Sequence, residues 1–199
     1  MDNLLNTFLF AGIAYLIGSF STAIVTCKIL GIPDPRTTGS NNPGATNVLR
    51  HGGKKAAIIT LLGDMLKGFI PVLLVLQLQT DTLTVAITAL AAFLGHVFPV
   101  YYGFKGGKGV ATFYGVILAL NWQCGLIAIA LWMLVAWLLK ISSLSALVSI
   151  FITPFLLWHF SQSVELTVAV AIMSCIVFWR HKKNIQLLIR GEESKISKN

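Results

Sequence analysis

The sequence predicts an all-α protein that crosses a membrane about seven times, and three observations support that prediction. Hydrophobic residues make up 56% of the 199 positions and charged residues only 11%, against roughly 25% charged in soluble domains. Mean hydropathy is +0.80. The apolar residues fall into runs of helical length separated by short polar stretches. So little charge leaves no room for a separate soluble domain, and residues 1–199 read as a single integral membrane unit.

In chain order, the first run is Leu4–Leu30, closed by Lys28 near its end. No basic segment precedes it, so it is not expected to be a cleaved signal. The second run is Ala56–Leu78, with Asp64 and Lys67 inside it, and the third is Leu83–Val100. The fourth, Val110–Leu120, is short against the roughly 20 residues a crossing needs. Gly125–Leu139, Leu144–Trp158 and Leu166–Trp179 complete the set. The third with the fourth, and the fifth with the sixth, also fit broken or re-entrant hairpins, whose backbone groups would need protein or water partners.

Charge placement predicts orientation. With the N-terminus outside, residues 28–55, 104–109, 140–142 and the tail face inward and carry every Lys and Arg except Lys67. The outer segments keep Asp2, Asp81 and Glu165 and no cation, as the positive-inside rule requires. The C-terminus is then cytoplasmic. The net charge of +8 therefore reports topology and no nucleic-acid partner. Cys27, Cys124 and Cys175 lie far apart, with neither a disulfide nor a metal-site pattern.

Three polar islands fall on the inner face, while the outer loops (79–82, 121–124 and 161–165) are short. The first island, Gly39–Arg50, sets Ser40, Asn42, Thr46 and Asn47 among glycines and ends in an arginine. Hydroxyls, amides and a guanidinium fork suit a phosphate or polyol. Thr46 or Asn47 would also cap a following helix, and an ordinary capped loop accounts for the same composition. The second, Gly95–Thr112 (GHVFPVYYGFKGGKGVAT), combines Lys105 and Lys108 with Gly103, Gly106, Gly107 and Gly109. It lacks the Walker A spacing and its Ser/Thr, but it suits a general phosphate cradle of N–H groups and point charges. The alternative is a tight turn whose lysines follow topology. The third island, Arg180–Lys195, holds His181, Asn184 and Glu193; its basic residues also serve as a topology anchor. Asp64 and Lys67 lie three apart on one helix face and fit either a structural ion pair or a site under the loops. His96 fits a general base or a hydrogen-bonded core residue.

Together these islands resemble the bacterial acyl-phosphate:glycerol-3-phosphate acyltransferases of the PlsY type. The resemblance runs through Gly18-Ser19, the stretch SNNPGATNVLR at 40–50, Gly52-Gly53-Lys54, Asp64-x-x-Lys67-Gly68, Gly95-His96-x-Phe98-Pro99, FKGGKGVAT at 104–112, Asn184-Ile185 and Gly191-x-Glu193-x-Lys195. It departs at Ser21, where the family often has proline, and at Leu187, where it often has arginine.

The resemblance implies a seven-helix enzyme of the bacterial inner membrane with its site facing the cytoplasm. The implied reaction moves an acyl chain from acyl phosphate to the 1-hydroxyl of sn-glycerol 3-phosphate, giving lysophosphatidate and phosphate, without cofactor or metal. The lipid bilayer and the enzyme that supplies the acyl phosphate are the implied partners. By motif match, Ser40, Arg50 and Lys108 are the catalytic residues. Asn42, Gly44, Thr46, Asn47, Lys67, His96, Lys105, Gly106, Gly107, Gly109, Thr112, His181, Asn184 and Glu193 are the substrate-binding set. Read without the resemblance, the same islands also fit a transporter of a small phosphorylated solute or a non-catalytic lipid-binding protein. The apolar outer halves of the runs give a transporter no polar pathway.

Overall fold

The computed structural model describes residues 2–78 and 80–196, with the side chains of Asp2 and Asn3 left out. The expected outer positions Asp2, for its side chain, and Gln79 thus lie outside the description. The described residues are helical: α1 (Asp2–Ser19), α2 (Thr22–Ile29), α3 (Ala45–Gln77), α4 (Thr82–Val97), α5 (Val110–Leu120), α6 (Trp122–Leu139), α7 (Ser142–Ser161), α8 (Val164–Arg180) and α9 (Lys182–Ile189), with one 3₁₀ turn at Val100–Tyr102.

Five stretches are long and apolar enough to cross a membrane, and six if the bent pair α8 and α9 counts as one. This is a multi-pass membrane architecture. The expected fourth span is α5, whose 11 residues rise only about 16 Å, about half a bilayer core.

Two of the expected runs are corrected. The first is broken at Phe20: Ser21 caps α2 by accepting from the Ile24 N–H, so the break forms without a proline. The second begins eleven residues earlier than its apolar content indicates, at Ala45 instead of Ala56. Gly53, at φ 80 and ψ 175, lets two helical pieces meet there across a kink. The N-cap of α3 is Gly44, so Thr46 and Asn47 stand inside the helix and do not cap it.

Glycines let the helix axes approach. A Cβ on Gly18 would strike the Ala92 carbonyl, and one on Gly115 would strike that of Met65. Small residues at helix contacts are the usual packing device where lipid removes the hydrophobic drive between helices. The main core joins α4, α5, α7 and α8 through Phe93, Phe113, Ile117, Ile150, Leu157 and Met173. A smaller cluster of Ala23, Cys27, Val48 and Ala56 fixes α2 to the start of α3. These contacts hold the polar segments 33–44, 103–109 and 180–196 against the ends of packed helices.

Candidate active site

One buried amide builds the first polar loop. Asn47, 3% exposed, donates through Nδ2 to the carbonyls of Pro35 (2.8 Å), Thr38 (3.0 Å) and Asn42 (3.1 Å). Its Oδ1 accepts from the Ser40 N–H at 3.1 Å. The chain thereby folds back over the start of α3 and leaves Ser40 exposed. Gly44 admits no Cβ without crowding the Asn42 amide. Arg36 pairs with Asp34 at 2.7 Å, which holds the Asp34 carboxyl below its ordinary range. The Arg36 guanidinium also lies 5.9 Å from the Tyr102 ring centroid and so docks this loop on the turn before the glycines.

The glycine loop is held from beneath. The Gly107 N–H donates to the His96 carbonyl at 3.2 Å. Arg180 donates through Nε to the Gly107 carbonyl (3.2 Å) and through Nη2 to that of Gly106 (2.8 Å). Gly106 and Gly107 are buried while Lys105 is exposed. Gly109 caps α5 at φ 88, with the Phe93 ring where a Cβ would stand. Helix α5 therefore starts with free N–H groups beside a lysine, an arrangement suited to an anion.

The tail closes the arrangement. Lys108 Nζ donates to Asn184 Oδ1 at 2.5 Å, and Asn184 Nδ2 donates to Glu193 Oε1 at 2.6 Å. The same carboxylate oxygen accepts from the Ser143 hydroxyl at 2.6 Å. Arg50 donates to the carbonyls of Ser194 (3.3 Å) and Lys195 (3.0 Å). Thr46 and Ser142 share a hydrogen bond of 3.1 Å, and the Ile196 N–H donates to the Lys140 carbonyl. The starts of α3 and α7, the glycine loop and α9 all meet on residues 193–196.

Charge is concentrated here. Burial pushes Lys108 down to about 8; Glu193 pulls it back up, while Arg180 and Arg50 push it further down. Burial, with the Lys108 charge adding, pushes His181 down to about 4, and its Nδ1 is taken by the Val177 carbonyl. The imidazole is neutral at physiological pH and a weak base.

Of the residues the sequence singles out, Arg50, Lys108, Asn184 and Glu193 form one connected group. Gly106 and Gly107 join it through Arg180, and Thr46 through Ser142. Ser40, Asn42, Gly44 and Asn47 form the adjoining loop. Lys67 and His96 lie deeper: Lys67 is 6% and His96 7% exposed. Thr112 is fully buried, with its carbonyl packed on Gly68. Arg180, Ser142 and Ser143 escaped the reading. Arg180 reads as part of a basic topology anchor, and Ser142 and Ser143 lie outside the three polar islands. The signal was present in two hydroxyls directly ahead of an apolar run on the cationic face.

The chain matches the family profile "Glycerol-3-phosphate acyltransferase" over residues 8–191. It is 54% identical to the glycerol-3-phosphate acyltransferase of Thioalkalivibrio sulfidiphilus over 92% of this chain and 90% of that protein. It is 52% identical to that of Ruthia magnifica over 93% and 94%. Its fold is similar to that of PlsY (YgiH), an integral membrane glycerol 3-phosphate acyltransferase, crystallised in its glycerol 3-phosphate form. The TM-score is 0.92 at 34% identity, over 96% of this chain and 95% of that one. Against the lysophosphatidic acid form the TM-score is 0.89 at 33% identity.

Proposed function

The chain belongs to the glycerol-3-phosphate acyltransferase family, and on that premise we propose that it acylates the 1-hydroxyl of sn-glycerol 3-phosphate with an acyl phosphate as donor. It is an acyltransferase of phospholipid synthesis. The observation that carries the site assignment is the convergence of Lys108 on Asn184, Arg50 on the tail and Arg180 on the glycine loop, with the charges of Arg50 and Arg180 both felt at Lys108.

The chemistry fits this arrangement. An acyl phosphate is a mixed anhydride, already activated, so the protein has to hold two phosphates together and align the reacting atoms. The glycerol 1-oxygen attacks the carbonyl carbon. The bond from that carbon to the phosphate oxygen breaks, and the phosphate leaves with the electron pair. Lys108, Arg50 and the N–H groups of the glycine loop stabilise the charge on it. Ser40 and Asn42 of the first loop and Thr46 at the start of α3 serve the glycerol moiety, with Lys105 on the exposed side of the glycine loop. The hydroxyl proton passes to a substrate phosphate oxygen. His181, held near 4 with one ring nitrogen engaged, is too weak a base, and Glu193 already accepts two hydrogen bonds. An apolar groove of about 380 Å³ beside Leu16, Ile17, Phe20, Gly63 and Tyr101, edged by Lys67, suits an acyl chain arriving from the bilayer.

The proposed topology counts the short α5 as a seventh span, with the N-terminus outside and the site facing the cytoplasm at the bacterial inner membrane. The one-sided distribution of Lys and Arg supports it. The enzyme that makes the acyl phosphate is the proposed partner.

The test uses purified protein with palmitoyl phosphate and labelled glycerol 3-phosphate, beside a parallel assay with acyl-CoA. Lysophosphatidate from acyl phosphate alone is the expected result, and Lys108→Met should lower its formation by about 10²–10³. Product from acyl-CoA alone would overturn the donor. An unaltered rate in Lys108→Met would overturn the site.

A further inference from the structure

Beneath the glycine loop lies a buried charged cluster that takes no direct part in the reaction drawn above. Asp64 and Lys67, one turn apart on α3, pair at 2.9 Å with side chains 3% and 6% exposed. Lys67 Nζ also donates to the Phe20 carbonyl at 2.8 Å, at the break between α1 and α2. On the other side, His96 Nδ1 stands 3.7 Å from Asp64 Oδ1. The His96 imidazole lies against the loop itself: a Cβ on Gly107 would run into Nε2 and Cε1. The His96 carbonyl accepts the Gly107 N–H.

Ionisable groups inside a membrane bundle are expensive and mark function by default. A buried ion pair seldom repays its own desolvation, so stability does not explain this one. Lys67 is engaged by a carboxylate and a backbone carbonyl. His96 is flanked by Asp64 on one side and by the Gly107 backbone on the other. The groups run in an unbroken line from the Phe20 carbonyl through Lys67, Asp64 and His96 to Gly107, next to Lys108.

We propose that Asp64, Lys67 and His96 form a strut that sets the height of the glycine loop, with His96 the positioning residue packed under Gly107. The proposal rests on the loop being part of the active site. It gives Gly107 a specific reason to be glycine, namely the imidazole beneath it rather than the phosphate above it. Because Phe20 also borders the apolar groove, the strut ties the groove wall to the phosphate loop.

The experiment is a rescue. Gly107→Ala should lift the loop and lower kcat/KM by about 10², the scale of an ångström-level misplacement. Combining it with His96→Ala makes room for the methyl group. The double variant should then recover about tenfold over Gly107→Ala, within the coupling expected of contacting residues. Folding is checked by monodisperse elution in detergent. A folded His96→Ala single variant with wild-type kcat and KM overturns the strut, because the loop then keeps its height without the imidazole, and leaves the loop's place in the site intact. A fully active Gly107→Ala overturns both. Should Gly107→Ala not fold, the isosteric Asp64→Asn decides. A loosened loop should raise KM for one of the two phosphate substrates about tenfold with kcat nearly constant, the mark of lost uniform binding. A fall in kcat alone, or no change in either, overturns the strut.

Discussion

The two polar loops of the candidate site are built in opposite ways. Residues 33–44 lean on one central side chain: Asn47 meets three carbonyls and one N–H from inside the following helix, while the Arg36–Asp34 pair braces the outer turn. Residues 103–109 are organised by several groups that each contribute a little, among them the His96 carbonyl, the Arg180 fork and the Phe93 ring under Gly109. The first design leaves Ser40 exposed and Asn42 half-buried, but most of its inner bonds depend on one amide. The second shares the load and buries Gly106, Gly107 and Gly109, leaving Lys108 as the group that faces the tail. A loop that presents many small polar groups can hang from one amide. A loop that holds one strongly charged lysine needs its backbone fixed from several directions.

Removing the central amide should give the largest effect. Asn47→Leu strands the Pro35 carbonyl and the Ser40 N–H and takes one donor each from the Thr38 and Asn42 carbonyls, which keep the Asn41 and Gly44 N–H groups; each buried polar group left without a partner costs about 1–3 kcal/mol. Thermal unfolding in detergent should fall markedly, and acyl transfer should drop by about 10² through misplacement of the loop. Asn47→Asp keeps an acceptor for the Ser40 N–H but turns a carboxylate oxygen toward the carbonyls, so it should be no better. A wild-type melting point and rate in Asn47→Leu would break the comparison.

The shared design should yield less. Arg180→Gln removes both guanidinium bonds to Gly106 and Gly107 while the His96 contact remains. The expected rise in KM is about tenfold, since hydrogen bonds from charged donors contribute about 1.5–3 kcal/mol and part of that is recovered from water. Arg180→Lys should fall between the two, because an ammonium cannot reproduce the fork. Steady-state kinetics on the three proteins would sharpen the contrast. A loss in Arg180→Gln larger than in Asn47→Leu would invert it.

The same contrast explains what was legible in the sequence. The bounds of α5 were readable because Gly109 and Asn121 flank an unbroken apolar run. The lysines and glycines of the second loop were readable because charge is rare in such a chain. The start of α3 at Ala45 was not readable: Gly52 and Gly53 look like a terminator, and only the structure shows the helix crossing them with a kink. The break at Phe20 was hidden for the converse reason, since α1 ends at Ser19 and Ser21 starts α2 without an evident breaker. Asn47 stood out as polar near a helix start, but its four partners lie 5 to 12 residues upstream, at spacings no local motif predicts. Arg180 and Ser143 were lost because long-range partners decide their roles, at separations of 73 and 50 residues.

The smallest effect tests how the tail serves the second loop. Lys108 stands near 8 because burial disfavours its charge, and Glu193 opposes that fall. Phosphate binding favours the protonated lysine. As pH rises through about 8 the charged fraction declines, so KM for the phosphate that Lys108 holds should climb on the alkaline side and stay flat below. Lys108→Arg, charged throughout, should flatten the rise at a higher basal KM. Glu193→Gln keeps an acceptor for Ser143 and Asn184 but removes the negative charge that holds Lys108 up. The rise should then begin at lower pH, by less than about one unit for a screened pair of this kind. The sign is the decisive part. A displacement toward higher pH, or an unchanged rise in Lys108→Arg, would mean that another group sets the alkaline limb and that Glu193 only braces the tail.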